Sequence, residues 1–169
     1  VAPWEQAAEI PVSSQDPAQG PKDAPVTIVI FSNVGDPDAK KIYPTLQALR
    51  SKYGDKLRMV WKDNWVPKDE AKAQPSAIAL RSVFLEKGAD AFFKLVSHAY
   101  VDSQPDAAPI EAWATKELGV DAKAFETRRE HLGVAVHQVR DHFVGAPASG
   151  TGALPPVSLP GPNQPGRHG

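Results

Sequence analysis

The segment Pro25-Val26-Thr27-Ile28-Val29-Ile30-Phe31 is a nearly unbroken β-branched apolar run, and together with the helix start just beyond it this run narrows the folds open to this chain. Such a run, without polar alternation, is the pattern of a strand covered on both faces, so it predicts a central strand. A turn over residues 32–35 leads to Asp36-Pro37, a good N-cap residue followed by proline at the first helical position. Ile42, Leu46, Leu49 and Tyr53 then recur at helical spacing and share one face, and Gly54 is placed to end the helix. Pro44 lies inside it and is expected to kink it. Leu57 to Lys62 reads as the next strand. Strand, helix and strand in that order predict a right-handed parallel unit.

On either side of this unit the pattern changes. Glu9 to Val12 is expected to form a short first strand, and the Pro-, Gly-, Asp- and Ser-rich stretch from Ser13 to Ala24 a loop. After the second strand the chain reads as helical: from near Pro75 to a stop at Gly88, then a piece carrying Phe92, Phe93, Leu95, Val96, Ala99 and Tyr100. A third helix is expected from Pro109 to Gly119. A fourth, capped by Asp121, carries Phe125, Leu132, Val136, Val139 and Phe143. The last twenty-five residues hold six glycines and six prolines. Only Val157-Ser158-Leu159 there could be a strand, and its flanking prolines favour an edge position. No internal repeat is present.

Length and composition bound the rest. A chain of 169 residues, 41% hydrophobic and 23% charged, has the makings of one globular domain rather than a disordered chain. We therefore expect residues 1–169 to form a single domain, organised as 1–24 strand and loop, 25–62 strand-helix-strand, 63–144 helical insert with a return helix, and 145–169 a Pro/Gly-rich tail. Nineteen basic and twenty acidic side chains leave a formal charge of −1, so no basic field favours nucleic acid or anionic lipid. No apolar run is long enough to span a membrane, which predicts a soluble protein. The start at Val1, with no leader before it, fits a mature or excised domain. The sequence contains no cysteine. Disulfides, thiolate metal sites and cysteine nucleophiles are thereby excluded from these residues, whatever the redox state of the compartment.

The order strand, helix, strand, helical insert and proline-led strand resembles the DsbA-like branch of the thioredoxin fold. Local segments carry the same resemblance: Gly20 to Val29 followed by Phe31-Ser32, Leu118-Gly119-Val120-Asp121 with Phe125 after it, and Pro44 five residues beyond Ala39. It implies an α/β, thioredoxin-like fold with a central mixed sheet, a helical insert and a truncated or irregular C-terminal part. In that family a Cys-x-x-Cys motif opens the first helix, and the matching positions here are Asp36, Pro37, Asp38 and Ala39. Thiol-disulfide exchange needs one thiol to ionise and a second to resolve the mixed disulfide. Neither is present, so the resemblance implies a vestigial site in which Asp36 serves as a helix cap. The family's other hallmark is a cis-proline lining a peptide groove. Pro156 is its best match, with Pro155 and Val157 beside it, though Pro155 replaces the usual small or β-branched residue and has no N–H to donate. The same residues also read as part of a polyproline-like tail.

Other residues are weaker candidates. His131, His137 and His142 are spaced six and five apart, which does not bring them to one helical face, so neither a metal nor a cofactor is expected. His98 reads as a helix residue at the edge of the core. Trp61 and Trp65 lie at a strand end, where open α/β sheets bind ligands, but core roles are the simpler expectation. Lys68-Asp69-Glu70 and Thr127-Arg128-Arg129-Glu130 read as solvated helix faces.

These observations favour a redox-inactive binding or structural module, a pseudoenzyme, whose partner is an extended peptide or a neighbouring domain. The alternative is a glutathione-dependent transferase or isomerase of the same fold, for which Ser32 is the nearest serine. A third reading is a domain that only holds its neighbours apart. The resemblance also implies a periplasmic or other extracytoplasmic location.

Overall fold

A computed structural model describes residues 10–65, 67–101 and 106–129. Its centre is the strand-helix-strand unit expected from the sequence: β2 (Val26–Ser32), α1 (Pro37–Tyr53) and β3 (Leu57–Asp63), preceded by a two-residue strand β1 (Ala18–Gln19). β2 and β3 pair in parallel, with Val26 opposite Leu57 and Ser32 opposite Asp63. β1 pairs with β3 antiparallel, Ala18 opposite Val60 and Gln19 opposite Met59. The sheet is therefore mixed, in the order β1-β3-β2.

One expectation about the sheet is corrected. Residues 10–12 are not a strand; the first strand lies inside the stretch read as a loop. Tertiary pairing overrides local composition here: the Trp61 N–H donates to the Pro17 carbonyl at 2.9 Å, and that contact seats Ala18 and Gln19 on β3. Among the described residues β3 lies between β1 and β2, with Met59, Val60 and Trp61 fully buried, while Val26 at the start of β2 is 54% exposed; the strand predicted at 157–159 lies outside the described residues.

The helices match the reading in order and differ in detail. α1 runs through Pro44 without interruption, and its one buried side chain is Tyr43. Ile42 and Tyr53, half of the predicted stripe, are exposed. The long helix α2 (Glu70–Val101) begins before Pro75 and is broken at Gly88, whose φ of 83° only glycine adopts without strain. α3 (Ala107–Leu118) ends at Gly119 in the left-handed conformation. Asp121 caps a further helical stretch over residues 122–129 by accepting from the Lys123 N–H at 3.0 Å.

One core joins these pieces. Trp61 from β3, Tyr43 from α1, Phe92, Phe93, Leu95 and Val96 from α2, Ile110 from α3, and Val120 and Phe125 beyond it are all buried in one cluster. Phe92 meets Trp61, Phe84 and Phe93 in edge-on geometry at 5.3–6.2 Å between centroids, the arrangement that ring quadrupoles favour. His98 stacks on Trp113 at 4.3 Å, joining α2 to α3. Trp65 packs apart with Ala73, Ala77 and Ile78, so both strand-end tryptophans are core residues.

Gly20 shows how tightly β1 is led onto the sheet. Its φ is +97°, and a Cβ there would lie 2.4 Å from the Leu57 carbonyl oxygen. Backbone cannot yield as a flexible side chain would. Gly20→Ala is expected to cost on the order of 2–3 kcal/mol of unfolding free energy, measured by chemical denaturation; a loss below roughly 0.5 kcal/mol, the range of neutral surface changes, would contradict this close approach.

Candidate functional site

The end of β2 and the start of α1 are joined by a turn built from its own side chains. The Asp36 N–H donates to the Asn33 carbonyl at 3.1 Å, and the Gly35 N–H to the Asn33 side-chain oxygen at 2.9 Å. Asn33 Nδ2 donates across to the Asn64 carbonyl at 2.9 Å. The turn is thus tied to the end of β3. From it Asp36 emerges in extended conformation, and its Oδ1 accepts from the Asp38 and Ala39 N–H groups at 2.9 and 3.3 Å. Pro37 fills the first helical position, where a missing N–H costs nothing. The first turn of α1 is therefore satisfied by a carboxylate, which also sits favourably at the positive end of the helix dipole.

Beneath this turn is a buried hydroxyl network. Ser32 is 2% exposed, and its Oγ lies 3.2 Å from the Tyr100 hydroxyl. Tyr100 donates to the Asn33 carbonyl at 3.1 Å. The Tyr43 hydroxyl lies 3.2 Å from Ser97 Oγ, and the two tyrosine rings are tilted against each other at 5.0 Å. Burial raises the pKa of both phenols, and that of Tyr100 is pushed up to about 12; the Ser32 hydrogen bond opposes the rise, while the nearby Asp36 charge and Tyr43 add to it. Both tyrosines are neutral hydrogen-bonding groups at physiological pH.

Between α1 and β2 the surface sinks into a cavity of about 200 Å³. Ile30, Ala39, Ile42 and Leu46 form much of its wall, Tyr100 lines it from α2, and Asp36 and Asp38 also border it. Three of the four positions expected from the sequence to be vestigial, Asp36, Asp38 and Ala39, thus meet one mostly apolar recess. Asp38 is engaged with Lys41 at 3.0 Å on an exposed face, a pairing of little energetic weight. The other predicted groove residues, Pro155, Pro156 and Val157, lie outside the described residues, as do His131, His137 and His142. Among the described residues no three His, Asp or Glu side chains are grouped to hold a metal ion.

The chemistry open to this arrangement is limited by what its groups already do. The 169 residues supply no thiol. Ser32, which also lines the recess, is almost fully buried and its hydroxyl is engaged with Tyr100. Tyr43, Tyr100 and Asn33 are the site residues that sequence reading missed. Asn33, two residues before Gly35, carries a turn signal, but nothing local could show that Tyr100, 68 residues beyond Ser32, closes the network.

The thioredoxin family profile matches residues 13–145, and the chain belongs to that family. Its fold is DsbA-like within it, and the sequence holds no cysteine with which to build a Cys-x-x-Cys motif. Among solved structures it is similar to Pseudomonas aeruginosa DsbA2, with TM-score 0.61 and 16% identity, covering 82% of this chain and 76% of that one. Proteus mirabilis ScsC in a transitional conformation gives TM-score 0.53 and 23% identity, covering 73% of this chain; the alignment spans only 57% of the ScsC chain. A periplasmic thioredoxin-like protein from Salmonella enterica serovar Typhimurium gives TM-score 0.53 and 21% identity, covering 81% of this chain and 75% of that one. At these identities the likeness is one of fold. A comparison with curated proteins finds no match.

The raised phenol sets a pH dependence. A tyrosine held protonated in the folded state, with a pKa of about 12 against the ordinary 10.0, stabilises the fold below pH 10; that contribution is lost as pH rises from 10 to 12. Denaturation across this interval should show a steeper fall for the wild-type chain than for Tyr100→Phe. Equal slopes would mean that Tyr100 titrates alike in the folded and unfolded chains.

Proposed function

We propose that this chain is a redox-inactive, DsbA-like module that binds an extended apolar peptide segment at the α1–β2 recess. What supports the reading is the Asp36 carboxylate that caps α1, at the position the resemblance matches to the family's first thiol, with an apolar recess beside it. Thiol exchange is closed to these residues for lack of sulfur. Binding requires none. A recess of this size suits one bulky side chain, with neighbouring residues of the segment lying across the exposed Ile42.

The glutathione-dependent alternative is less well supported, because Ser32 is buried and hydrogen-bonded rather than presented to solvent. The same module reading favours an extracytoplasmic setting, in keeping with the periplasmic Salmonella protein that shares the fold.

The test is a titration of the isotopically labelled full chain with extended peptides carrying one leucine or phenylalanine. The expected result is saturable shifts of Ile30, Ser32, Ala39 and Ile42 resonances, with affinity reduced about tenfold (1.4 kcal/mol) in Ile42→Asp. Shifts scattered away from the recess, or turnover of glutathione conjugates by the purified chain, would sink the proposal.

A further inference from the structure

The segment over residues 13–19 lies along β3 and is fastened to it chiefly by charge. Asp16 Oδ2 receives Lys62 Nζ at 2.9 Å, with the two side chains only 10% and 6% exposed. The same oxygen accepts from the Ser13 N–H at 2.8 Å, which folds the segment's tip on itself. A second attachment runs through Arg81 of α2, whose Nη1 donates to the Gln15 carbonyl and whose Nε contacts Asp63 Oδ2 at 2.7 Å. Trp61 Nε1 donates to the other Asp63 oxygen at 2.8 Å, fixing that carboxylate.

Against these contacts the segment buries little. Pro17 is its one buried side chain, and β1 contributes two residues of ladder. The strand β1 also carries a buried polar atom without a hydrogen-bond partner, Gln19 Oε1, which weakens the attachment. A segment with few apolar contacts and strong charge contacts opens separately from the core it covers.

We propose that residues 13–19 form a charge-latched strap that lifts from β3 as its own unit, with the Lys62–Asp16 pair as the latch and the Arg81 contacts as its second point. When the strap is down, the β1 side of β3 is covered; when it lifts, backbone groups of that edge are bared while the β2–β3 pairing stays intact. The strap thus makes that edge conditionally accessible, a state that edge strands otherwise avoid.

The alternation of the β3 ladder supplies internal reporters. The Trp61 N–H bonds to Pro17, on the strap side, and the Asn64 N–H bonds to Ser32, on the β2 side. By alternation the Val60 N–H faces β2 as Asn64 does. Residue-resolved hydrogen exchange on the full chain, under conditions where rates report the opening equilibrium, then separates strap opening from global unfolding. In Lys62→Met, which keeps the volume of a buried side chain without its charge, Trp61 should exchange at least about tenfold faster while Val60 is unchanged. Asp16→Asn, which retains an acceptor for Ser13, should act in the same direction and guards against a folding defect peculiar to the first variant. Parallel acceleration of Trp61 and Val60 would show that the strap opens only with the whole fold, and no acceleration of either in both variants would show that the charges do not hold it; either result overturns the proposal.

Discussion

Parallel pairing of β2 with β3, from Val26 opposite Leu57 to Ser32 opposite Asp63, is the constraint on which the rest of the structure depends. Two parallel neighbours need a crossover, and here α1 provides it, so the register of the pair fixes where the helix begins. Ser32 ends one strand beside Asp63 at the end of the other, and the next residues, Asn33 and Asn64, are joined by a side-chain hydrogen bond. That bond holds the turn that presents Asp36. Without the register there would be no fixed helix start, and without the helix start no recess between α1 and β2.

Loss of the thiols leaves this architecture free of conflict. A thiolate at a helix N-terminus is stabilised by the dipole and by unpaired N–H groups. A carboxylate at a helix start answers both needs, and Asp36 does so by accepting two N–H hydrogen bonds at one oxygen. The tyrosines below remain neutral through burial and give the turn a polar floor without a reactive group. The recess beside it keeps a mostly apolar wall, formed largely by Ile30, Ala39, Ile42 and Leu46.

The sequence made the central unit legible because its signals are local: the β-branched run at Val26 to Phe31, the Asp36-Pro37 helix start, and the glycines at 54, 88 and 119 that interrupt or end helices. Where contacts between distant residues decide the outcome, the same reading failed. β1 could not be found from Ala18-Gln19, since its only distinction is a partner in β3. Tyr43 escaped notice because the apolar stripe on α1 pointed to Ile42 and Tyr53, and the helix instead turns Tyr43 toward α2, where Ser97 and Tyr100 receive it. The capping role of Asp36 was legible by residue type; the hydroxyl network under it was not, because Ser32 and Tyr100 are brought together only by the fold.

The central claim is that the thioredoxin-like helix start survives intact and that only its sulfur is missing. The most direct test is to restore the pair as Asp36→Cys with Ala39→Cys and measure the thiol pKa values and disulfide formation in the full chain. An intact helix start predicts a residue 36 thiol with a pKa well below the ordinary value of about 8.5, and an intramolecular disulfide that forms and is reduced reversibly. Two thiols with ordinary pKa values that do not pair in the folded protein would contradict it.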